Sequence, residues 1–466
     1  MTGLAVPLIQ VAAILAVAAA LGWGVVAALV PRVAARVERL GWGVATGLLM
    51  IGLSVPLGFA LRIRPGWLTL LIVSLLAFPA GRFLRLRDAR VDRPRSRAGA
   101  ATGALGLVLL AGVGLYALRA LTEPMWANDY LAIWGLKGKT LFAAVGIPER
   151  LFQWSSLRFS HPEYPLGLPF LYAGISFLAG RWDDHAMALV FPFLQVATLG
   201  VLFGWLRRRG ADRPLALGTA AVLSHFEPLY RAFTTGMAEV PLSLGVLLLG
   251  TSLCDCLERA DTGASRRLAL ASLVCVATKN EGLFFVAAGI AVAALSRRGA
   301  VARSAAALAF PAALVIAAHR LMHGSLPLSD FDFSLLRRPG ELAPRIGETI
   351  AVVIRLVPPL AWAGLVALSV LIAAGRASPA GGRLLALAAC GLAAYLLLPS
   401  LAVAGPEWLV RYAFFRTTAA LAPLVAAGVA VRLIPVFGPG ESSEFERDPG
   451  ASATNPGSRQ LCSRGC

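Results

Sequence analysis

Five short stretches of this chain hold residues able to do chemistry, each set between long apolar runs. The first, residues 123–140, reads EPMWANDYLAIWGLKGKT. It contains Asp129 and two of the three lysines in a chain that has forty arginines. Held at the bilayer surface, Asp129 is a candidate catalytic carboxylate. After it, Tyr130, Ile133, Trp134 and Lys137 recur at i, i+3, i+4 and i+7. That spacing predicts one face of a helix lying along a membrane surface, its aromatics at headgroup level. A plain interfacial helix would use the same letters, with Asn128 or Asp129 as N-cap and snorkelling lysines.

The second stretch, SHPEYPLGLP at 160–169, packs three prolines into eight residues, which forbids a regular helix. His161, Glu163 and Tyr164 then project from a rigid turn that leads to a helix starting near Leu168. The third, TGMAEVPL at 235–242, places Glu239 at the mouth of an apolar helix, where an acid is costly unless wet or partnered. A helix-entry cap is the simpler use of it. The fourth, ATKNEGLFF at 277–285, joins two apolar runs. The first of these has only about eleven residues, roughly 16 Å of helix, half the hydrocarbon core. Lys279 is therefore expected below the membrane surface, where a charge costs about 2.5–3.5 kcal/mol. An anionic ligand would offset that cost, and so would Glu281. The fifth, PEWLVRYAFFRTTAALAP at 406–423, sets Arg411 and Arg416 before the last apolar run. They fall on the side of the membrane where arginine is uncommon. A phosphate would use them, as would simple anchoring at the interface.

The elements that must position these residues are membrane helices. The chain is 58% hydrophobic and 15% charged, with a mean hydropathy of +0.72. About thirteen apolar runs fall between residues 4 and 435, among them 99–120, 268–278, 282–296 and 349–373, so the fold expected is an all-α polytopic membrane protein. The net charge of +18 sits in short loops at 85–97, 207–213, 258–267, 297–303 and 375–383. Every second loop is basic, which is the positive-inside pattern rather than a nucleic-acid surface. The N-terminus then lies outside as a retained first helix, and the tail from Phe437 lies inside. The other side carries the loops 121–185, 225–238, 319–349 and 405–418, which hold all five stretches except the hairpin at Lys279, itself on that side. Convergence of polar groups on one face favours an enzyme over a carrier, whose polar breaks sit near the midplane. The six cysteines form no Cys-x-x-Cys pair and have no histidine cluster beside them, so neither zinc nor a disulfide framework is expected. The tail 436–466, rich in Ser, Gly and Pro, is expected to be disordered.

Taken together, the five stretches resemble the GT-C superfamily of membrane glycosyltransferases. They look most like bacterial relatives of the protein O-mannosyltransferase and lipid A aminoarabinose transferase group, glycosyltransferase family 39 in the broad sense. The likeness covers about residues 99–435. It rests on the acid Asp129 after a first core helix, then Trp134, Lys137, Lys139, Leu141 and Phe142. It continues with His161, Tyr164 and Pro165, then Glu239 and Pro241, then Thr278, Lys279 and Gly282, and ends with Trp408, Arg416 and Pro423. The chain departs from the family pattern at Asn128-Asp129, where many members carry two adjacent acids.

The resemblance implies a GT-C-type bundle of about thirteen helices with interfacial helices in the first long loop. It divides the chain into three unassigned N-terminal helices (1–98), a catalytic core (99–435) and the tail (436–466). It implies transfer of a sugar from a polyprenyl-phosphate carrier to an acceptor hydroxyl on a lipid, glycan or protein, by inversion with Asp129 as base. Lys279, Arg416 and Arg411 would bind the donor phosphate. Trp134, Lys137, His161, Glu163, Tyr164 and Glu239 would line the substrate site. A divalent metal, where members use one, would fall to Asp129 and Glu239. The expected setting is the bacterial inner membrane, with the site on its periplasmic face. A lipid-linked glycan ligase and a lipid or solute transporter are the rival readings.

Overall fold

The apolar runs fold as helices because lipid offers their backbone groups no hydrogen-bond partner. The computed structural model describes residues 2–29, 36–82, 100–152, 158–259, 262–296, 301–323, 331–357, 368–370, 372–373, 375 and 377–437. In chain order the main helices are α1 Thr2–Leu29, α2 Arg36–Ala60, α3 Trp67–Arg82, α4 Ala100–Thr122, α5 Gly135–Ala144, α6 Gly167–Ala179, α7 Val190–Arg208 and α8 Arg213–Ser224. They continue as α9 Glu239–Arg259, α10 Thr262–Thr278, α11 Glu281–Leu295, α12 Val301–His323, α13 Pro339–Leu356, α14 Pro379–Leu401 and α15 Ala422–Phe437. Among the described residues, seven helices are long and apolar enough to cross a membrane. An eighth span results if the helix Pro406–Ala419 and the α15 segment Ala422–Ile434, bent by 46°, count together. The chain is an all-α, multi-pass membrane protein.

Helix α9 forms the centre. Its apolar window is wholly buried, and α7, α10, α11, α14 and α15 pack around it. The N-terminal helices join the same bundle: α1 crosses α2, and α2 packs on α6 and α7. The α1–α2 crossing is tight because glycines meet backbone there. A Cβ on Gly47 would come within 2.0 Å of the Ala18 carbonyl oxygen, the close approach that small residues allow between membrane helices.

Opposite charges clamp the arginine-rich end of the bundle. Arg208 of α7 donates twice to Glu38 of α2, at 2.7 Å each, and once to Asp255 of α9 at 3.0 Å. Arg209 and Arg267 also reach Asp255, at 2.7 and 3.4 Å. Arg383 of α14 pairs with Glu258 at 3.2 Å. Five helices are tied through side chains that are mostly buried. Removing one partner of such a pair costs about 3–5 kcal/mol.

Three sequence expectations change here. The helix expected from Leu168 is present as α6, but loop 121–185 does not hold it outside the bundle: its thirteen residues are buried along nearly their whole length and closed by Gly180 at φ +74°. Its sequence GLPFLYAGISFLA is continuously apolar, so it belongs in the core. Helix α10 runs for seventeen residues, roughly 25 Å. It begins in polar Thr-Gly-Ala-Ser-Arg-Arg, ahead of the eleven-residue apolar run, so a short span does not explain the depth of Lys279. The run 349–373 is not one helix: α13 starts at Pro339 and ends at Leu356, with Val357 extended (ψ 119°). Val357 precedes a proline, which disfavours the helical conformation. The basic stretch 85–97, the tail from 438 with Cys462 and Cys466, and 358–367 within that last run lie outside the described residues.

Candidate functional site

At the end of the bundle away from the arginine clamp, five charged side chains alternate in sign. Asp129 Oδ2 lies 2.8 Å from Arg416 Nη2. Arg416 Nε lies 3.1 Å from Glu239 Oε1, and the same oxygen lies 3.2 Å from Lys279 Nζ. Lys279 Nζ is also 2.6 Å from Glu281 Oε1. Four separate elements supply these groups: the residues before α5, the start of α9, the α10–α11 hairpin and the helix Pro406–Ala419. Asp129, Lys279, Glu281 and Arg416 line a cavity of about 960 Å³. Glu239, 1% exposed, lies behind them. Aromatic side chains form much of the remaining wall, including Tyr164, Phe331, Tyr395, Trp408, Tyr412 and Phe414.

Backbone irregularities aim the key groups. A π-helical turn, Tyr130–Trp134, follows Asp129 directly. A second, Val410–Phe414, ends two residues before Arg416. Such turns hold an extra residue and recur at functional sites. Asp129 occupies the cap position of the first but makes no side-chain cap bond, which leaves its carboxylate for Arg416. The hairpin that presents Lys279 depends on Gly282, where a Cβ would fall 2.2 Å from the Cys275 carbonyl oxygen. Glu239 stands in the first turn of α9, where the helix N-terminus favours a negative charge. Tyr130 donates to Asp184, which also accepts from Trp182 Nε1 at 2.8 Å.

The proline-rich turn is fixed from below. Lys137 is fully buried and donates to the His161 carbonyl at 2.6 Å. Burial pushes the Lys137 ammonium down to about 7, against the opposing pull of Glu163. His161 holds φ +50°, a sparsely populated conformation for a residue with a Cβ. Its Nδ1 sits 3.0 Å from Glu163 Oε1. Trp134, Tyr164 and His161 form a continuous stack, with ring centroids 5.3 and 4.8 Å apart and planes within about 15°.

The structure thus brings together Asp129, Arg416, Glu239 and Lys279, with His161 and Tyr164 on the same cavity wall. Glu163 lines an adjoining cavity. Trp134 and Lys137 are buried beneath the turn. Arg411 lies apart: it is half-exposed and pairs with Glu407 at 2.6 Å, one helical turn away. The face Tyr130, Ile133, Trp134 and Lys137 points into the bundle rather than toward headgroups, since all four are buried. Tyr130, Trp134 and Lys137 have partners inside, Asp184, Tyr164 and the His161 carbonyl, which an interfacial helix would not provide. Trp126, half-exposed, packs edge-on against Phe233 and does not line the cavity.

Glu281 was visible only as a neighbour of Lys279, yet it lines two cavities. Tyr395 and Phe331 carry no local motif, because distant segments bring them in. Asp129 and Glu239 do not fit a divalent ion: the Arg416 guanidinium lies between them, and among the described residues no group of three His, Cys, Asp or Glu is set to hold a metal. No family model matches the chain, and no curated protein or solved structure does so either.

Chemically, the site offers two cations and three carboxylates in a partly dry, aromatic-walled cavity. Such a site suits a ring-bearing substrate with an anionic group, beside an acid paired with an arginine.

Proposed function

We propose that the protein is a membrane glycosyltransferase of GT-C type, built on about thirteen helices. It takes a sugar from a polyprenyl-phosphate carrier and passes it to an acceptor hydroxyl. The observation that supports this most is the 2.8 Å contact between Asp129 and Arg416 at the cavity wall, with Lys279 on the same wall. One cavity then presents both a base and the charges that a departing phosphate needs.

In this reading the donor phosphate lies against Arg416 and Lys279, and the sugar lies against the aromatic wall. The acceptor oxygen attacks the anomeric carbon, and the bond from that carbon to the phosphate oxygen breaks with its electron pair leaving to the phosphate. Arg416 and Lys279 stabilise that charge. The acceptor proton goes to Asp129. One direct displacement inverts the anomeric centre. The polar end of the bundle that carries the site is assigned to the periplasmic face of the bacterial inner membrane, opposite the arginine-rich end.

The test uses purified protein in native-like lipid, supplied with membrane lipid extract. Polyprenyl monophosphate release is followed by mass spectrometry. Wild type should release it, and Asp129→Asn should lose about 10²–10⁴-fold in rate. Equal release by both would remove Asp129 from catalysis. No release by wild type from extracts that contain the donors would refute the transferase reading.

A further inference from the structure

A second cavity, of about 390 Å³, adjoins the charged one and shares Tyr164, Glu281, Phe331 and Leu398 with it. Glu163 and Glu281 both line it, and each residue is only 8% exposed. Each uses one carboxylate oxygen on a neighbour, Glu163 on the His161 ring and Glu281 on the Lys279 ammonium. The other oxygen of each is buried without a hydrogen-bond partner among the described residues. A buried carboxylate oxygen left unmatched is costly, so a small turn of either side chain toward the cavity would let a ligand supply the missing donor. Asn280, His319 and Arg320 complete the polar lining, and Phe284, Phe331 and Phe333 supply flat apolar faces.

This cavity leads on to a third. Pro165, Val315 and His319 belong to both it and an apolar groove of about 450 Å³. The groove runs between α2, α6, α10 and α12, and α2 and α12 are long and apolar enough to cross a membrane. Its rim residues Leu53 and Leu321 are 43% and 89% exposed, so the groove opens sideways to the bilayer. Charge selects the head that fits above it. The lining itself carries two carboxylates against the Arg320 guanidinium and the His319 imidazole, which leaves no surplus of positive charge for an anionic head. Unpaired carboxylate oxygens and aromatic faces instead suit a hydroxyl-rich, uncharged one.

We propose that this cavity and groove bind the acceptor, a lipid with an uncharged polyol head, its tail lying between α2 and α12. This rests on the glycosyl-transfer reading. A head seated here would reach the charged cavity past Glu281, while the donor phosphate stays on Arg416 and Lys279. Glu163 and Glu281 then select the acceptor by accepting from its hydroxyls.

The experiment uses the full chain in phosphatidylcholine nanodiscs with two photoreactive probes that share one diazirine-bearing alkyl tail. One has a glucoside head and the other a phosphate head. Labelled peptides covering 273–278 and 315–321 are quantified by mass spectrometry. The glucoside should label both segments. Ala318→Trp, which fills the groove from its exposed wall, should cut labelling by about fivefold or more. Ala317→Trp, on the same helix but in none of the three cavity linings, should leave it unchanged. Glu163→Gln should weaken glucoside binding about tenfold, the worth of one charge-assisted hydrogen bond. Equal labelling by the phosphate-headed probe, or undiminished labelling in Ala318→Trp, would overturn the proposal. Polyprenyl phosphate release at the wild-type rate in both Ala318→Trp and Glu163→Gln would overturn the acceptor assignment and leave glycosyl transfer standing. Loss of release in those two variants, with Ala317→Trp normal, supports it. Absence of release in wild type, with the labelling pattern intact, would sink glycosyl transfer and leave a polyol-lipid site.

Discussion

Glu239→Gln is the most informative single change, because Glu239 holds two cations at once. Its Oε1 lies 3.1 Å from Arg416 Nε and 3.2 Å from Lys279 Nζ. At an effective dielectric constant of about 20, each contact carries about 5 kcal/mol of attraction. Desolvation cancels much of that for a group 1% exposed. What remains is the cost of leaving Arg416 and Lys279 facing each other without the charge between them, about 3–5 kcal/mol. The amide keeps the shape of the side chain, so a cavity contributes little. The assay is equilibrium unfolding in mixed micelles, run as a double-mutant cycle with Arg416→Gln. The double variant should be less destabilised than the sum of the two singles, with a coupling of about 1–3 kcal/mol. Additivity within about 0.5 kcal/mol would refute the alternating charge chain as an energetic unit.

Other expectations follow from single contacts. Gly282→Ala forces a methyl to 2.2 Å from a backbone oxygen; it should lower stability by about 1–3 kcal/mol and reduce polyprenyl phosphate release, because the Lys279 hairpin must shift. Lys137 binds fewer protons folded than unfolded, since burial lowers its ammonium to about 7; stability of wild type should therefore rise between about pH 7 and 10.5. Lys137→Met should flatten that slope and gain most relative to wild type below pH 7, and a wild-type profile already flat across the window would contradict the burial argument. Arg411→Ala should leave release within about twofold of wild type, since its exposed pair with Glu407 does not line the cavity, whereas Arg416→Gln should abolish it.

The membrane class and most helices were legible from the apolar runs, because spans in lipid must be helical and long. The pairing of Asp129 with Arg416 was not, since they lie 287 positions apart in the sequence and neither motif names the other. The helical spacing of Tyr130, Ile133, Trp134 and Lys137 was real but misleading about direction. Periodicity marks a face without saying whether lipid, water or protein lies against it, and a fully buried lysine defeats the usual inference. The helix expected from Leu168 is present as α6, but the same limit hid its burial, because an uninterrupted apolar sequence has no polar face to reveal that the bundle surrounds it. The arginine clamp at Glu38, Arg208 and Asp255 carried no local signal, because its acids and bases meet only after three helices pack.

The two π-turns beside Asp129 and Arg416 bear on how the chain tolerates changes of length. A one-residue deletion inside an α-helix normally turns everything beyond it by about 100° and breaks the packing. Within 130–134 or 410–414 the same deletion would instead heal the hydrogen-bond ladder and yield an ordinary helix. The repaired chain would be locally more regular and would have lost its aim, with the acid or the arginine rotated off its partner. In those two turns, regularity and activity are opposed, and a shortened variant that folds but does not work is the signature to seek.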